Sequence, residues 1–185
     1  MPDKLTGLAA FHELEPASGG SATAILLDVN SLRFLNAQSG HEAADAALVA
    51  TADTLKKYSE KLQSTRLFRI WGDEFLLLMS ADHELDARDI AAALVDEVDR
   101  QNIPYTRPDH PEMDRLAVSA LVFDLGPQEA KAMKESGPSP AFRDMFETRL
   151  CNEKRRSGGT RGVVVDARSS AVAGANTTQD DGKKQ

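Results

Sequence analysis

The stretch "RIWGDEFLLLM", residues 69–79, sets a tryptophan, a glycine and two adjacent carboxylates inside an apolar run. Two short apolar segments, 66–70 and 74–80, flank "WGD". That pattern predicts a β-hairpin with Gly72 and Asp73 in its turn. A buried, unpaired carboxylate is costly, so Asp73 and Glu74 must reach water, a partner or a cation. A solvated turn would account for them as well as a metal site would.

Working outward from the hairpin, "ATAILLDV" (22–29) is a continuous apolar run ending in Asp28, as in a central strand covered on both faces. Asn30 or Ser31 is placed to cap a short helix running to about Gln38. "SGHEAADAALVATADTLKKYSEKL" (39–62) and "DARDIAAALVDEVDRQN" (86–102) read as amphipathic helices. Strands are expected at 115–123 and 161–167 and a helix at 141–156. The spacing of Leu5, Leu8, Phe11 and Leu14 predicts a helix over 3–15, and "DLGPQEAKAMKESGPSP" reads as a loop with at most one helical turn. This order implies an α+β fold with one mixed sheet, helices packed on it and a split βαβ core. Residues 1–168 form the expected domain. The small, polar segment 169–185 reads as a disordered tail.

The chain has 185 residues, and its 41% hydrophobic content suffices for a real core. A formal charge of −7 argues against DNA or RNA as a partner, since phosphate recognition needs a basic surface. Cys151 is the sole cysteine, so no intrachain disulfide forms, and no motif around it suggests a nucleophile. Neither a membrane span nor a signal peptide is legible, and the expected location is cytoplasmic.

Asp28, at the end of its strand, would lie near Asp73 and Glu74 if the hairpin is its neighbour. Carboxylate oxygens alone make a hard site suited to Mg²⁺ or Mn²⁺, and no Cys/His cluster favours zinc.

Together "DKLTGLAAF" (3–11), "LLDVNSLRFLNAQSGHEAADAAL" (26–48) and "FRIWGDEF" (68–75) resemble the GGDEF domain of diguanylate cyclases, in the right order and spacing. The resemblance implies a nucleotidyl-cyclase palm with a ferredoxin-like core and a mainly antiparallel central sheet flanked by helices. It implies GTP as substrate, and a homodimer in which two GTP condense to cyclic di-GMP with loss of pyrophosphate. Divalent ions would assist the attack of a 3′-hydroxyl on an α-phosphate. By the same resemblance Asp28, the Val29 carbonyl, Asp73 and Glu74 would hold metal, with Asp73 and Glu74 serving catalysis. Asn36 and Asp45 would read the guanine edge, and Asp45 disfavours adenine. Leu32, Arg33, Gly72 and Lys154 would cradle the phosphates, with Arg161 the preferred second cation.

Several positions depart from the family pattern. Trp71 stands where the signature has its first glycine, and its indole faces either into the site or away from it. Leu62–Thr65 replaces the inhibitory Arg-x-x-Asp, so product feedback through that motif is not expected. The alternative is therefore a degenerate, inactive domain that binds GTP or a signalling partner protein as a regulatory module.

Overall fold

A computed structural model describes residues 1–14, 21–80, 82–105, 114–137, 139–157 and 161–168. The expected tail at 169–185 lies outside the described residues. The strands are β1 (Ala9–Ala10), β2 (Ala22–Val29), β3 (Thr65–Trp71), β4 (Glu74–Ser80), β5 (Val118–Leu125) and β6 (Val164–Asp166). They form one sheet in the order β1-β3-β4-β2-β5-β6. The four middle strands pair antiparallel, while β1 joins β3 and β6 joins β5 in parallel. This is the mixed, mainly antiparallel palm expected.

The apolar run of β2 lies at the centre because both of its faces find cover, and Ala24 to Leu27 are fully buried. Ile25, Leu27 and Val29 face one core with α1 (Leu32–Ser39), α2 (His41–Ser59) and α3 (Ala87–Arg100). Ala24 and Leu26 face a second core with α4 (Pro127–Ser136), α5 (Pro140–Phe146) and Leu150. In α3 the buried residues Ile90, Ala91, Leu94, Val95 and Val98 recur at helical spacing, and the Asp86 carboxylate caps the helix by accepting from Arg88 N–H at 2.8 Å.

Three expectations are corrected. The predicted helix over 3–15 is instead a turn, the short strand β1 and a 3₁₀ turn at Phe11–Glu13. Asp3 accepts from Thr6 N–H and Thr6 Oγ1, and Gly7 takes a φ of +70°, so the chain turns rather than coils. The supposed loop after β5 holds a ten-residue helix, α4, with Pro127 in its first turn and Gly137 (φ +77°) closing it. The last helix, expected to be continuous over 141–156, is interrupted: α5 passes into a π turn at Glu147–Cys151 and then α6 (Asn152–Arg156).

Candidate functional site

The ends of β2, β3 and β4 gather the signature residues. Glu74 is the direct cross-strand partner of Asp28, and on the other side of Asp28 stands Ser119 of β5. Directly opposed residues of antiparallel strands point to the same face. Trp71 in turn pairs with Glu74, so Trp71, Glu74, Asp28 and Ser119 form a row across four strands.

Trp71 joins that row because β3 carries a bulge. Arg69 opposes Phe75 and Trp71 opposes Glu74, leaving Ile70 as the extra residue. The bulge puts the side chains of Ile70 and Trp71 against the same core. The half-buried indole lies between Phe11, at a ring distance of 6.4 Å, and Phe142, at 6.2 Å. It therefore shares the face of Asp28 and Glu74.

The turn is held from outside. Arg69 donates through Nε (3.1 Å) and Nη2 (2.6 Å) to the carbonyl of Gly72, and through Nη1 to Asp3 Oδ1 at 2.8 Å. The N-terminal "DKLTGL" motif thus braces the signature turn. The backbone N–H of Val29 donates to the Asp73 carbonyl at 3.1 Å, which ties the turn to the end of β2. Gly72 adopts φ +20°, a conformation that side-chain-bearing residues rarely take.

Asp28 is buried, 8% exposed, and the ammonium of Lys154 on α6 donates to its Oδ1. Burial pushes the Asp28 carboxyl above its ordinary range despite Lys154, and the nearby charges of Asp73 and Glu147 add to the push. Burial likewise raises Glu74, to about 7, with the charges of Asp28 and Asp73 contributing. The cluster is short of positive charge, with Asp73, Glu74 and Glu147 near Asp28 and Lys154 its cation partner. It is not a finished cage: among the described residues no group of three or more His, Cys, Asp or Glu is disposed to hold a metal. Of the three carboxylates expected to converge, Asp28 and Glu74 stand in register, Asp73 is tied in through its backbone carbonyl, and the Lys154 ammonium on Asp28 is the cation present.

The remaining expected residues spread around this centre. Leu32 and Arg33 open α1, ahead of its first helical hydrogen bonds, in which the Ser31 carbonyl accepts from Phe34 and Leu35 N–H. Their own amides therefore lie at the free end of the helix. Ser31 occupies the cap position with no side-chain cap. Asn30 turns inward instead: its Oδ1 accepts from Ser119 Oγ at 2.9 Å and its Nδ2 donates to the Arg161 carbonyl at 3.3 Å. Asn36 lies in α1 with a buried Oδ1 that has no hydrogen-bond partner among the described residues, and Asp45 is exposed in α2, the helix packed on α1. Arg161 is exposed, and Asn30 anchors its backbone beside the site.

Cys151, in the π turn, has its thiol pushed up to about 11, chiefly by burial and then by Glu147, which agrees with an inert thiol. Sequence reasoning missed the bracing role of Arg69, the buried Asn30–Ser119 link and an aromatic cleft against Trp71. Asn30 carried a signal, since a polar residue directly after a buried strand needs a partner.

Comparison with known proteins gives five findings. Residues 5–136 match the family described as "Diguanylate cyclase, GGDEF domain". A curated relative is an "Uncharacterized 19.3 kDa protein in repSA 5'region" of Streptomyces ambofaciens, 38% identical over 71 residues, 38% of this chain and 36% of the relative. The match therefore spans about a third of that relative. Among solved structures, the GGDEF domain of DgcB from Caulobacter crescentus in complex with c-di-GMP aligns with TM-score 0.60 at 20% identity, covering 89% of this chain and 94% of that one. The GGDEF domain of TpbB (YfiN) from Pseudomonas aeruginosa aligns with TM-score 0.61 at 21% identity (90% and 94%). The diguanylate cyclase SiaD of Pseudomonas aeruginosa, in complex with its activator SiaC, aligns with TM-score 0.59 at 24% identity (90% of this chain, 61% of SiaD). At these identities the structural likeness establishes the shared fold. No helix among the described residues is long and apolar enough to cross a membrane. With a family match over residues 5–136 and that palm along nearly all of its length, the chain belongs to the GGDEF domain family of diguanylate cyclases.

Proposed function

We propose that the protein is a diguanylate cyclase, condensing two GTP into cyclic di-GMP across a homodimer. The observation that carries this reading is the retained acidic row: Asp28 opposite Glu74, with Asp73 bonded through its carbonyl to the neighbouring Val29. An oxygen-only donor set of Asp28, Asp73, Glu74 and the Val29 carbonyl fits Mg²⁺ or Mn²⁺, and burial gives Asp28 and Glu74 reason to take up a cation. When bound, such ions supply charge neutralisation at the reacting phosphate.

The chain's own groups have these roles. The open amides of Leu32 and Arg33, with the Arg33 guanidinium, receive the triphosphate at the start of α1. Gly72 lets the turn approach it closely. Lys154 moves from Asp28 onto phosphate, and Arg161 supports it. The unpartnered Oδ1 of Asn36 accepts a guanine N–H, as does the Asp45 carboxylate. A 3′-oxygen forms a bond to the α-phosphorus, the bond from that phosphorus to the bridging oxygen breaks, and pyrophosphate leaves. The hydroxyl proton passes to the Glu74 carboxylate.

A second reading keeps GTP binding without turnover, in a regulatory module that engages a partner protein. The Trp71 indole on the face of Asp28 and Glu74 favours it. Equilibrium binding tests what the two readings share: GTP binds with Mn²⁺ in preference to ATP, Asp28→Asn loses the metal dependence, and Asp45→Ala loses the preference. Metal-independent binding by the native chain contradicts the site assignment.

A further inference from the structure

Beside the acidic row lies an open cleft of ≈ 410 Å³, bounded by Trp71, Glu74, Phe142, Arg143, Phe146 and Glu147. Its aromatic walls are fixed from behind. Phe11 backs the indole, and Phe123 meets Phe142 edge-on at a ring distance of 5.4 Å. A purely structural indole would be covered, yet Trp71 is half-buried and lines the cleft. At the rim, Arg143 and Glu147 stand four residues apart, one helical turn, where α5 passes into the π turn. Both are exposed. The Arg143 guanidinium makes no hydrogen bond or ion pair among the described residues, while Glu147 lies 3.7 Å from Arg155.

A flat aromatic wall with a guanidinium and a carboxylate at its edge suits a planar ring that bears both acceptors and donors. Guanine is such a ring: its O6 and N7 suit a guanidinium fork, and its N1–H and N2–H suit a carboxylate. Adenine puts a donor where Arg143 needs an acceptor. Stacking on the indole supplies affinity, and the charged rim supplies selectivity.

We propose that the Trp71–Phe142–Phe146 cleft is a second guanine-base site, for a nucleotide other than the one read by Asn36 and Asp45. The proposal rests on the guanine-nucleotide reading given above. Condensation needs two nucleotides to meet at one α-phosphate. Glu74 belongs both to the acidic row and to the cleft, so a base lodged there brings its ribose to the row. The same ring chemistry comes from a second GTP or from the cyclic product.

Trp71 is the protein's only tryptophan, so its emission reports on this cleft directly. Titrating GTP, ATP and cyclic di-GMP into the full chain is expected to quench that emission, with ATP about tenfold weaker than GTP, the size of one lost bidentate contact. The GTP quench persists in Asp45→Ala and weakens about tenfold in Arg143→Ala. By calorimetry the native chain binds two GTP, and Trp71→Gly and Asp45→Ala bind one each. A stronger response to cyclic di-GMP than to GTP assigns the cleft to product, and the reverse order assigns it to substrate. The proposal is overturned by no quench, by a quench that vanishes in Asp45→Ala, or by equal quenching with ATP that ignores Arg143→Ala. If Trp71→Gly loses one GTP and Asp45→Ala loses none, the cleft stands and the Asn36–Asp45 assignment fails.

Discussion

The Lys154 ammonium sits on the Asp28 carboxylate, joining the last helix of the domain to the end of its central strand. Both side chains are mostly covered, 18% and 11% exposed, so the pair is a structural tie as well as part of the site. Lys154→Met leaves a buried carboxylate without its partner. The metal-free variant should lose on the order of 2 kcal/mol or more, since breaking a covered pair strands the remaining charge. Thermal melts with and without Mn²⁺ check this. The variant should recover more stability from the ion than the native chain does, because the ammonium no longer competes for Asp28. Equal melting temperatures without metal would refute the tie.

A second tie lies at the outer edge of the turn, where Arg69 bridges Asp3 and the Gly72 carbonyl. Burial alone would raise the Asp3 carboxyl, but the Thr6 N–H, Arg69 and the Thr6 hydroxyl together hold it below its ordinary 3.8. A carboxylate lowered on folding adds stability above its unfolded value, lost as pH falls through the folded value. Asp3→Asn should therefore be less stable than the native chain at pH 7, and the gap should shrink below pH 3.8. Urea denaturation across that range reads the effect. A constant gap would mean that charge is not what Asp3 contributes.

Gly162 approaches β5 so closely that an added Cβ would fall 2.2 Å from the Val118 carbonyl oxygen and 2.5 Å from Val95 Cγ1. Gly162→Ala should cost about 1–3 kcal/mol in urea unfolding, as overpacking at backbone does. An unchanged midpoint would show that the segment leading into β6 shifts freely.

Much of this architecture is written in the local pattern, and the exceptions have physical causes. The β2 run and the spacing of α3 announce their burial directly. The helical spacing of Leu8 and Leu14 misleads, because the two leucines enter opposite cores on either side of the sheet. α4 buries only Ala130 and Met133, too few for a periodic signal, although Pro127 and Gly137 mark its ends. The acidic residues and Lys154 were legible through their motif. The direction of the Trp71 indole was not, because one unpaired residue in β3 decides it and alternation carries no trace of a bulge.

The central claim is catalytic, and product formation tests it most directly. Purified full-length chain at high protein concentration, incubated with GTP and Mn²⁺, is predicted to yield cyclic di-GMP with two pyrophosphates per product, and Glu74→Gln is predicted to yield none. Bound GTP with no cyclic di-GMP from the native chain would contradict the cyclase reading and leave a nucleotide-binding regulatory domain.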